Sequence, residues 1–526
     1  MTGERAAPAT TAEQVLVPGA TLGIGSDGTY RGLRAGPGEP HRTRADLAPA
    51  APPGPGRRVL ATLAHLTDLH VVDSGSPARL DFAMRTGAGT ASWGGAVDWV
   101  FRPQELLGTH AAAAMVDTLA RLPVDLCVVT GDNVDNAQAN ELAAYLALLD
   151  GGPVAPLPDG RYAGPQRPDW DDDWYWRPDP GDDRYKRRWG FPTHPGLIER
   201  AERGFVSTGL GHPWLACLGN HDLLVGGASA AHAALATLVT GDRKPVRLPD
   251  GLDLPDALTT LLTDPTPIFG GPARPIPAAA GRAFVDAAGF VTAHRHPGAR
   301  PPGHGFTPAN ERAGTGYYRH DPVPGLRVLV LDTNHPHGHW DGSVDRDQLA
   351  WLETELAGLD GPDDPLVVLA SHHASQSMTN AYGVCPDRPA ERAFADELLR
   401  IALRCRNVVL WLNGHHHTNR IVAHFRADGG GLYEVTTAAV TDWPSQARLI
   451  EVAVEADGTC CLTSTMVDHD SPAAAGPDLD PASVPALAAL HRELAYNDGV
   501  RAGRWGAGGS VADRNVRMRV PLRPTR

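Results

Sequence analysis

The stretch VVLWLNGHHHTNR, residues 408–420, runs six largely apolar residues into Asn413-Gly414 and then sets three histidines side by side. A short apolar run closed by Asn-Gly reads as a buried strand that hands its next residues to a turn at the end of a sheet. Loops in that place often carry function. If the chain stays near-extended past the turn, alternate residues share a face, so His415 and His417 point one way and His416 the other. Two imidazoles on one side can share a metal site. A polar turn that happens to be rich in histidine accounts for this stretch as well, and partners elsewhere must decide.

The same habit recurs along the chain. RRVLATLAHLTDLH (57–70), VDLCVVTGDNVDN (124–136), PWLACLGNHD (213–222), LRVLVLDTNH (326–335) and PLVVLASHHAS (365–375) are apolar runs that end in acids, amides or histidines. Between them, 103–122, 347–359 and 391–404 carry apolar residues at helical spacing. GLYEVTTAAV (431–440) and ARLIEVAVEADGTCCLTSTMVD (447–468) read as antiparallel strands, the second turning at Asp457-Gly458. Strand, helix, strand succession predicts a layered α/β domain over 58–470. Two long insertions interrupt it, at about 151–210 and 224–325, the second with a possible helix near 254–263. Residues 1–57, rich in Gly, Pro and Ala, are expected to form an irregular N-terminal arm, and 471–526 a C-terminal helix and tail packed on the domain.

Composition narrows the function classes. The 526 residues are 42% hydrophobic and 21% charged, as in an ordinary globular protein. A net charge of -14 disfavours nonspecific binding to nucleic acid or anionic lipid, which need a basic surface. The six cysteines show no CxxC pair, so neither a disulfide framework nor a cysteine metal site is indicated. No charged n-region followed by an apolar core opens the chain and no run of eighteen apolar residues occurs, so the expectation is a cytoplasmic protein with no membrane partner.

Against that background the strand ends carry a coherent donor set. Asp68 and His70 have the same i, i+2 spacing as His415 and His417; Asp132, Asn220, His221 and His372 follow the other strands. Carboxylate oxygen, amide oxygen and several imidazoles together suit two divalent metal ions such as Mn, Fe or Zn. The ordered set D-x-H, GD-x-x-D, GNH-D, H and GH-x-H, spanning 68–417, resembles the signature of the calcineurin-like metallophosphoesterases. The resemblance implies a four-layer α/β/β/α sandwich. It also implies that Asp68, His70 and His417 with Asp132 hold one metal, that Asn220, His372 and His415 with Asp132 hold the other, and that Asp132 bridges. In SHH it favours His372 over His373 as the ligand, and His416 faces away.

Two metals about 4 Å apart can activate a bridging water as hydroxide and stabilise in-line displacement at phosphorus. His221, beside ligand Asn220, is placed to protonate the leaving oxygen. In related phosphatases the second acid of GD-x-x-D, here Asp135, supports that histidine; Asp222 is the lesser candidate, read first as a helix-start acid after the motif. The expected substrate is a small phosphomonoester or phosphodiester, with a nuclease of the same superfamily or a non-catalytic scaffold with a relict site as the alternatives. The chain departs from two subgroups: purple acid phosphatases carry Tyr where Asp135 stands, and protein Ser/Thr phosphatases have Arg-Gly where Asn136-Ala137 stand. LDTNHPHGHWDGSVDRDQLAWLETEL (331–356) is similar to a segment of phosphodiesterase-like members, and TDWPSQARLIEV (441–452) and DRNVRMRV (513–520) are similar to a bacterial branch without a settled substrate. His335, His337 and His339 line a substrate mouth or form a solvated loop. Arg79 and Arg102 contact phosphate or pair with acids. The Trp-rich stretch 170–189 stacks a nucleobase or caps the core.

Overall fold

The computed structural model of the chain describes residues 6–51, 54–86, 100–157, 160–231, 233–252, 260–359, 361, 363–381, 392–474, 479–500 and 506–522. The architecture is mixed α/β, built on two large sheets. One has seven strands in the order Arg42–Arg44, Val516–Pro521, Thr459–Asp468, Gln446–Val454, Arg58–Leu66, Leu126–Val129 and Trp214–Ala216. The other has six, in the order Tyr318–Val323, Leu326–Val330, Leu366–Ala370, Val408–Asn413, Gly431–Thr436 and Arg420–Phe425. Strands 58–66, 126–129 and 214–216 run parallel, as do 326–330, 366–370, 408–413 and 431–436. Parallel strands need both faces covered, which is why they read as unbroken apolar runs rather than alternating ones.

The covering is visible in where successive side chains go. Val328, Val330, Val368, Ala370, Leu410 and Leu412 join the core shared with the seven-stranded sheet, together with Leu63, Leu126 and Val128. Their neighbours Leu329, Leu331, Val367, Leu369 and Trp411 face the other way, onto Leu349, Leu352 and Leu356 of helix Arg346–Leu356 and Leu398, Ile401 and Ala402 of helix Ala395–Arg404. Period-two alternation thus sorts one strand's residues into two cores, and each fully buried Leu or Val contributes roughly 1.5–3 kcal/mol. Helices Gly108–Ala120 and Ala139–Asp150 supply Met115, Leu119, Leu142 and Leu148 to the first core. No helix among the described residues is long and apolar enough to cross a membrane.

The N-terminal arm is not irregular, as its composition suggested. Gln14–Ile24 and Thr29–Pro37 form an antiparallel hairpin, and Arg42–Arg44 joins the seven-stranded sheet beside Val516–Pro521. Its partners lie at the far end of the sequence: the Tyr30 hydroxyl donates to Glu493 Oε1 at 2.9 Å and Arg31 N–H to Asn497 Oδ1 at 2.7 Å, both on helix Val484–Asn497. Nothing local announces a hairpin stabilised that way. The C-terminal segment likewise adds a strand to the sheet as well as a packed helix. In the first insertion Trp176, Tyr175 and Tyr185 are buried in a second apolar cluster with Leu106, Leu107 and Leu494. They cap the domain and are not placed to stack on a ligand. Residues 254–259 of the helix expected in the second insertion lie outside the described residues; 260–263 are helical.

Candidate metal centre

Every predicted ligand follows the carboxyl end of a parallel strand, the edge at which α/β sheets collect their ligands. Within the seven-stranded sheet Asp68 N–H donates to Gly131 O (3.0 Å) and His70 N–H to Asp132 O (2.9 Å), and across to the loop of the six-stranded sheet His415 N–H donates to Asp68 Oδ2 (3.1 Å). Gly414 is needed where the opening stretch meets this junction, because a Cβ there would stand 1.9 Å from Thr67 Oγ1 and 2.4 Å from Asp68 Oδ2. Asn413-Gly414 therefore ends the strand for a packing reason and not only as a turn signal.

The loops do not stay extended. Of the ten non-glycine residues with left-handed backbone among the described residues, five are Asp68 (φ 53°), His70 (44°), Asp132 (49°), His415 (68°) and His417 (51°). The shared face expected from i, i+2 spacing is reached through paired left-handed turns. Such conformations cost of order 1–3 kcal/mol each and persist where surrounding structure dictates them, typically at functional sites.

Asp68, His70 and His417 converge on one point. His70 Nε2 and His417 Nε2 are 3.2 Å apart, and Asp68 Oδ1 lies 3.2 Å from His417 Nε2 and 4.0 Å from His70 Nε2. Asp132 Oδ2 is 3.6 Å from His70 Nε2. On the far side of each ring stands a carboxylate: Asp135 Oδ1 accepts from His70 Nδ1 at 2.9 Å, and Asp442 Oδ2 from His417 Nδ1 at 2.7 Å. Each ring's proton is thereby held on Nδ1, and both Nε2 lone pairs aim at the same point. A proton shared between the two Nε2 atoms, or a metal ion in its place, is what this 3.2 Å approach accommodates.

A second set adjoins the first through Asp132. Its Oδ1 accepts the His221 main-chain N–H at 2.9 Å, while Oδ2 lies 3.2 Å from His372 Nε2. His372 Nδ1 donates to Thr130 O at 2.8 Å, and His415 Nδ1 is 3.2 Å from His372 Nε2. Asn220 gives its amide N–H to Gly227 O at 2.8 Å, leaving Oδ1 buried without a hydrogen-bond partner. A buried acceptor left so costs about 1–3 kcal/mol, and metal coordination would satisfy it. The electrostatics agree. Burial opposes charge on His372 and His417, yet Asp132 lifts the first, and Asp68 with Asp442 the second, to about 9. Burial alone would raise Asp132, but His372 and His221 hold its carboxyl well below the usual range. The cavity attracts positive charge.

The two histidines of SHH separate cleanly. His373 Nε2 donates to Trp340 O at 3.0 Å and Nδ1 takes the Thr333 hydroxyl at 2.8 Å, which leaves no lone pair for a metal, in contrast to His372. His221 and Asp135 require a correction. His221 Nδ1 meets the main-chain oxygen of Asp135 at 2.7 Å, whereas the carboxylate Oδ1 is 3.9 Å away. That carboxylate is drawn instead to His70 and to the buried Arg79, whose Nη1 is 2.5 Å from Oδ2. Asp222 is neither a helix-start acid nor a support for the His221 ring. Its two oxygens accept N–H groups from Asn133, Val134, Gly219 and the Asn133 amide, tying the GNHD turn to the GDNV turn. Arg79 and Arg102 are buried among acids. His335 and His339 each accept the main-chain N–H two residues on, at 3.2 and 3.1 Å, as turn formers in a loop where His337 is exposed.

Sequence reasoning missed Asp442, whose place in TDWP gave no reason to link it to His417. A further histidine and acid group, Asp150, His296 and His304, lies apart from this centre. There His296 Nδ1 accepts the Gly298 N–H at 3.2 Å, so its proton sits on Nε2 and points at Asp150 Oδ2, 2.8 Å away. That ring is a hydrogen-bond donor and not a ligand.

No protein-family model matches the chain, and no curated protein does. Among solved structures it is similar to a dimetal phosphatase from Danio rerio, with 11% identity, a TM-score of 0.35, and coverage of 78% of this chain and 99% of that one. It is also similar to PhoD, with 11% identity, a TM-score of 0.31, and coverage of 83% of this chain and 70% of that one.

Proposed function

We propose that the protein is a phosphoric ester hydrolase dependent on two divalent metal ions. The observation that carries this is the pair His70 and His417, each with a carboxylate behind Nδ1 and with Nε2 atoms facing across 3.2 Å. Asp68, His70, His417 and Asp132 would hold one ion; Asp132, Asn220, His372 and His415 the other. The donor set fits Mn, Fe or Zn, and the orphaned Asn220 Oδ1 fits it too. The two sheets with their flanking helices are consistent with the four-layer α/β/β/α sandwich of the calcineurin-like enzymes that the sequence resembles.

When bound, such a pair of ions supplies Lewis acidity and a nucleophilic oxygen near neutral pH. Two carboxylates, an amide and four imidazoles leave two divalent ions with excess positive charge, which suits an anionic ester over a neutral one. His221 stands at the rim, its side chain 13% exposed. The Asp135 carbonyl accepts a hydrogen bond but has none to donate, so Nδ1 keeps its proton and exchange with a leaving oxygen would take place at Nε2. Asp135 serves His221 through its main chain and His70 through its side chain.

Chelator-stripped protein reloaded with Mn, Zn or Fe(II) is expected to take up two ions per chain and to hydrolyse bis(p-nitrophenyl) phosphate or p-nitrophenyl phosphate. No turnover of either ester with any of the metals would overturn the proposal.

A further inference from the structure

Asp135 and Asp442 orient His70 and His417, and one residue touches both acids. Arg102 Nε donates to Asp442 Oδ1 at 3.0 Å, and Nη1 lies 3.7 Å from Asp135 Oδ1, the oxygen that takes the His70 proton. His70, Asp135, Arg102, Asp442 and His417 therefore form a closed ring of side chains, completed by the 3.2 Å approach of the two Nε2 atoms. The members come from five separate loops. The Arg102 side chain is 4% exposed, so water screens these contacts little. Neighbouring groups do less: Arg79 binds Asp135 and Glu105, and Gln104 Nε2 binds Asp442 Oδ1 and Thr441 O, each at 3.2 Å. Neither spans both carboxylates. Glu105 Oε2, in turn, accepts the Arg102 main-chain N–H at 3.1 Å and fixes where the guanidinium starts.

We propose that Arg102 is a positioning residue whose planar fork sets the angle between the His70 and His417 rings, and so the shape and affinity of the first metal position. This rests on the two-ion reading above. A guanidinium holds two acids at fixed separation; a lysine ammonium offers the same charge from a single point. Geometry and charge compensation can therefore be told apart.

The test compares wild type with Arg102→Met and Arg102→Lys, each checked for native circular dichroism. Metal content is measured after gel filtration, affinity by chelator competition, and ligand geometry from the visible spectrum of the Co(II)-loaded protein. Wild type must bind two ions; if it binds none, the metal-centre reading fails and not the role of Arg102. Given two, both variants are expected to keep one ion and bind the other roughly 10-fold more weakly, the low end of the cost of losing a metal histidine's own partner because Arg102 acts one contact further out, with an altered Co(II) spectrum. Arg102→Lys binding both ions within about threefold of wild type, with an unchanged spectrum, would overturn the proposal. Should Arg102→Met fail to fold, the lysine variant decides alone.

Discussion

The two halves of the centre are anchored differently. On one side His70 and His417 are backed by the carboxylates of Asp135 and Asp442; on the other, His372 and Asn220 are backed by the main-chain carbonyls of Thr130 and Gly227. A carboxylate behind an imidazole raises its basicity and fixes its tautomer more strongly than a neutral carbonyl does. On the two-ion reading proposed above, the difference predicts which ion would be held tightly and which would exchange: the half that includes Asn220, a neutral donor, should release its ion first. Asp132 is common to both and hides the contrast wherever it is altered.

Asp132→Ala should therefore have the largest effect, abolishing the distinction by emptying both halves. Metal content falls toward zero and turnover by about three powers of ten or more, equivalent to several kcal/mol of lost charge stabilisation. A variant that kept one ion would show that the halves are independent. His221→Ala comes next. Both ions should stay, because the His221 ring is not one of the proposed ligands and its main-chain N–H to Asp132 survives the exchange, while kcat drops roughly a hundredfold or more; unchanged turnover would remove this ring from proton transfer. Asp442→Asn addresses the contrast itself. It leaves a hydrogen-bonding group beside His417 but removes the charge, so the tight ion should weaken roughly 10–100-fold and the two steps of a chelator titration should draw together. Two steps as far apart as in wild type would mean that the carboxylate is not what separates the halves.

The same contrast explains what could be read in the sequence. The candidate donors at strand ends were legible because a strand and the loop after it are local: an apolar run followed by TDLH, GDNVD or GHH declares both the element and the side chains it carries. The positions of those strands were legible for the same reason. Outer partners were not, since Asp442 reaches His417 and Arg102 reaches Asp442 across 25 and 340 residues, with no spacing rule to follow. Asp135 was located but given the wrong task, because sequence order places it near His221 while two buried arginines turn its carboxylate toward His70. The paired left-handed turns also lay beyond reach. Asp68 and His415 are types that tolerate φ above zero, but nothing local forces them there; they meet across the junction, where Gly414 lies close against Asp68. The N-terminal hairpin failed similarly, its partners being on helix Val484–Asn497.

The smallest effect should separate a ligand from its neighbour. His373 stands between the Thr333 hydroxyl and the Trp340 carbonyl, with its ring 4.9 Å from His372 and 4.6 Å from His415. Being fully buried, it buttresses both candidate histidines of the Asn220 half without offering a lone pair of its own, and burial pushes it down to about 3, so it stays neutral. His373→Gln retains a donor and an acceptor in a similar volume. Both ions should remain bound, with turnover reduced less than about tenfold, in keeping with the cost of one neutral hydrogen bond. The same exchange at His372 removes a ligand and should release the weaker ion. Metal analysis of the two variants side by side reads the difference directly, and loss of an ion from His373→Gln alone would reverse the assignment.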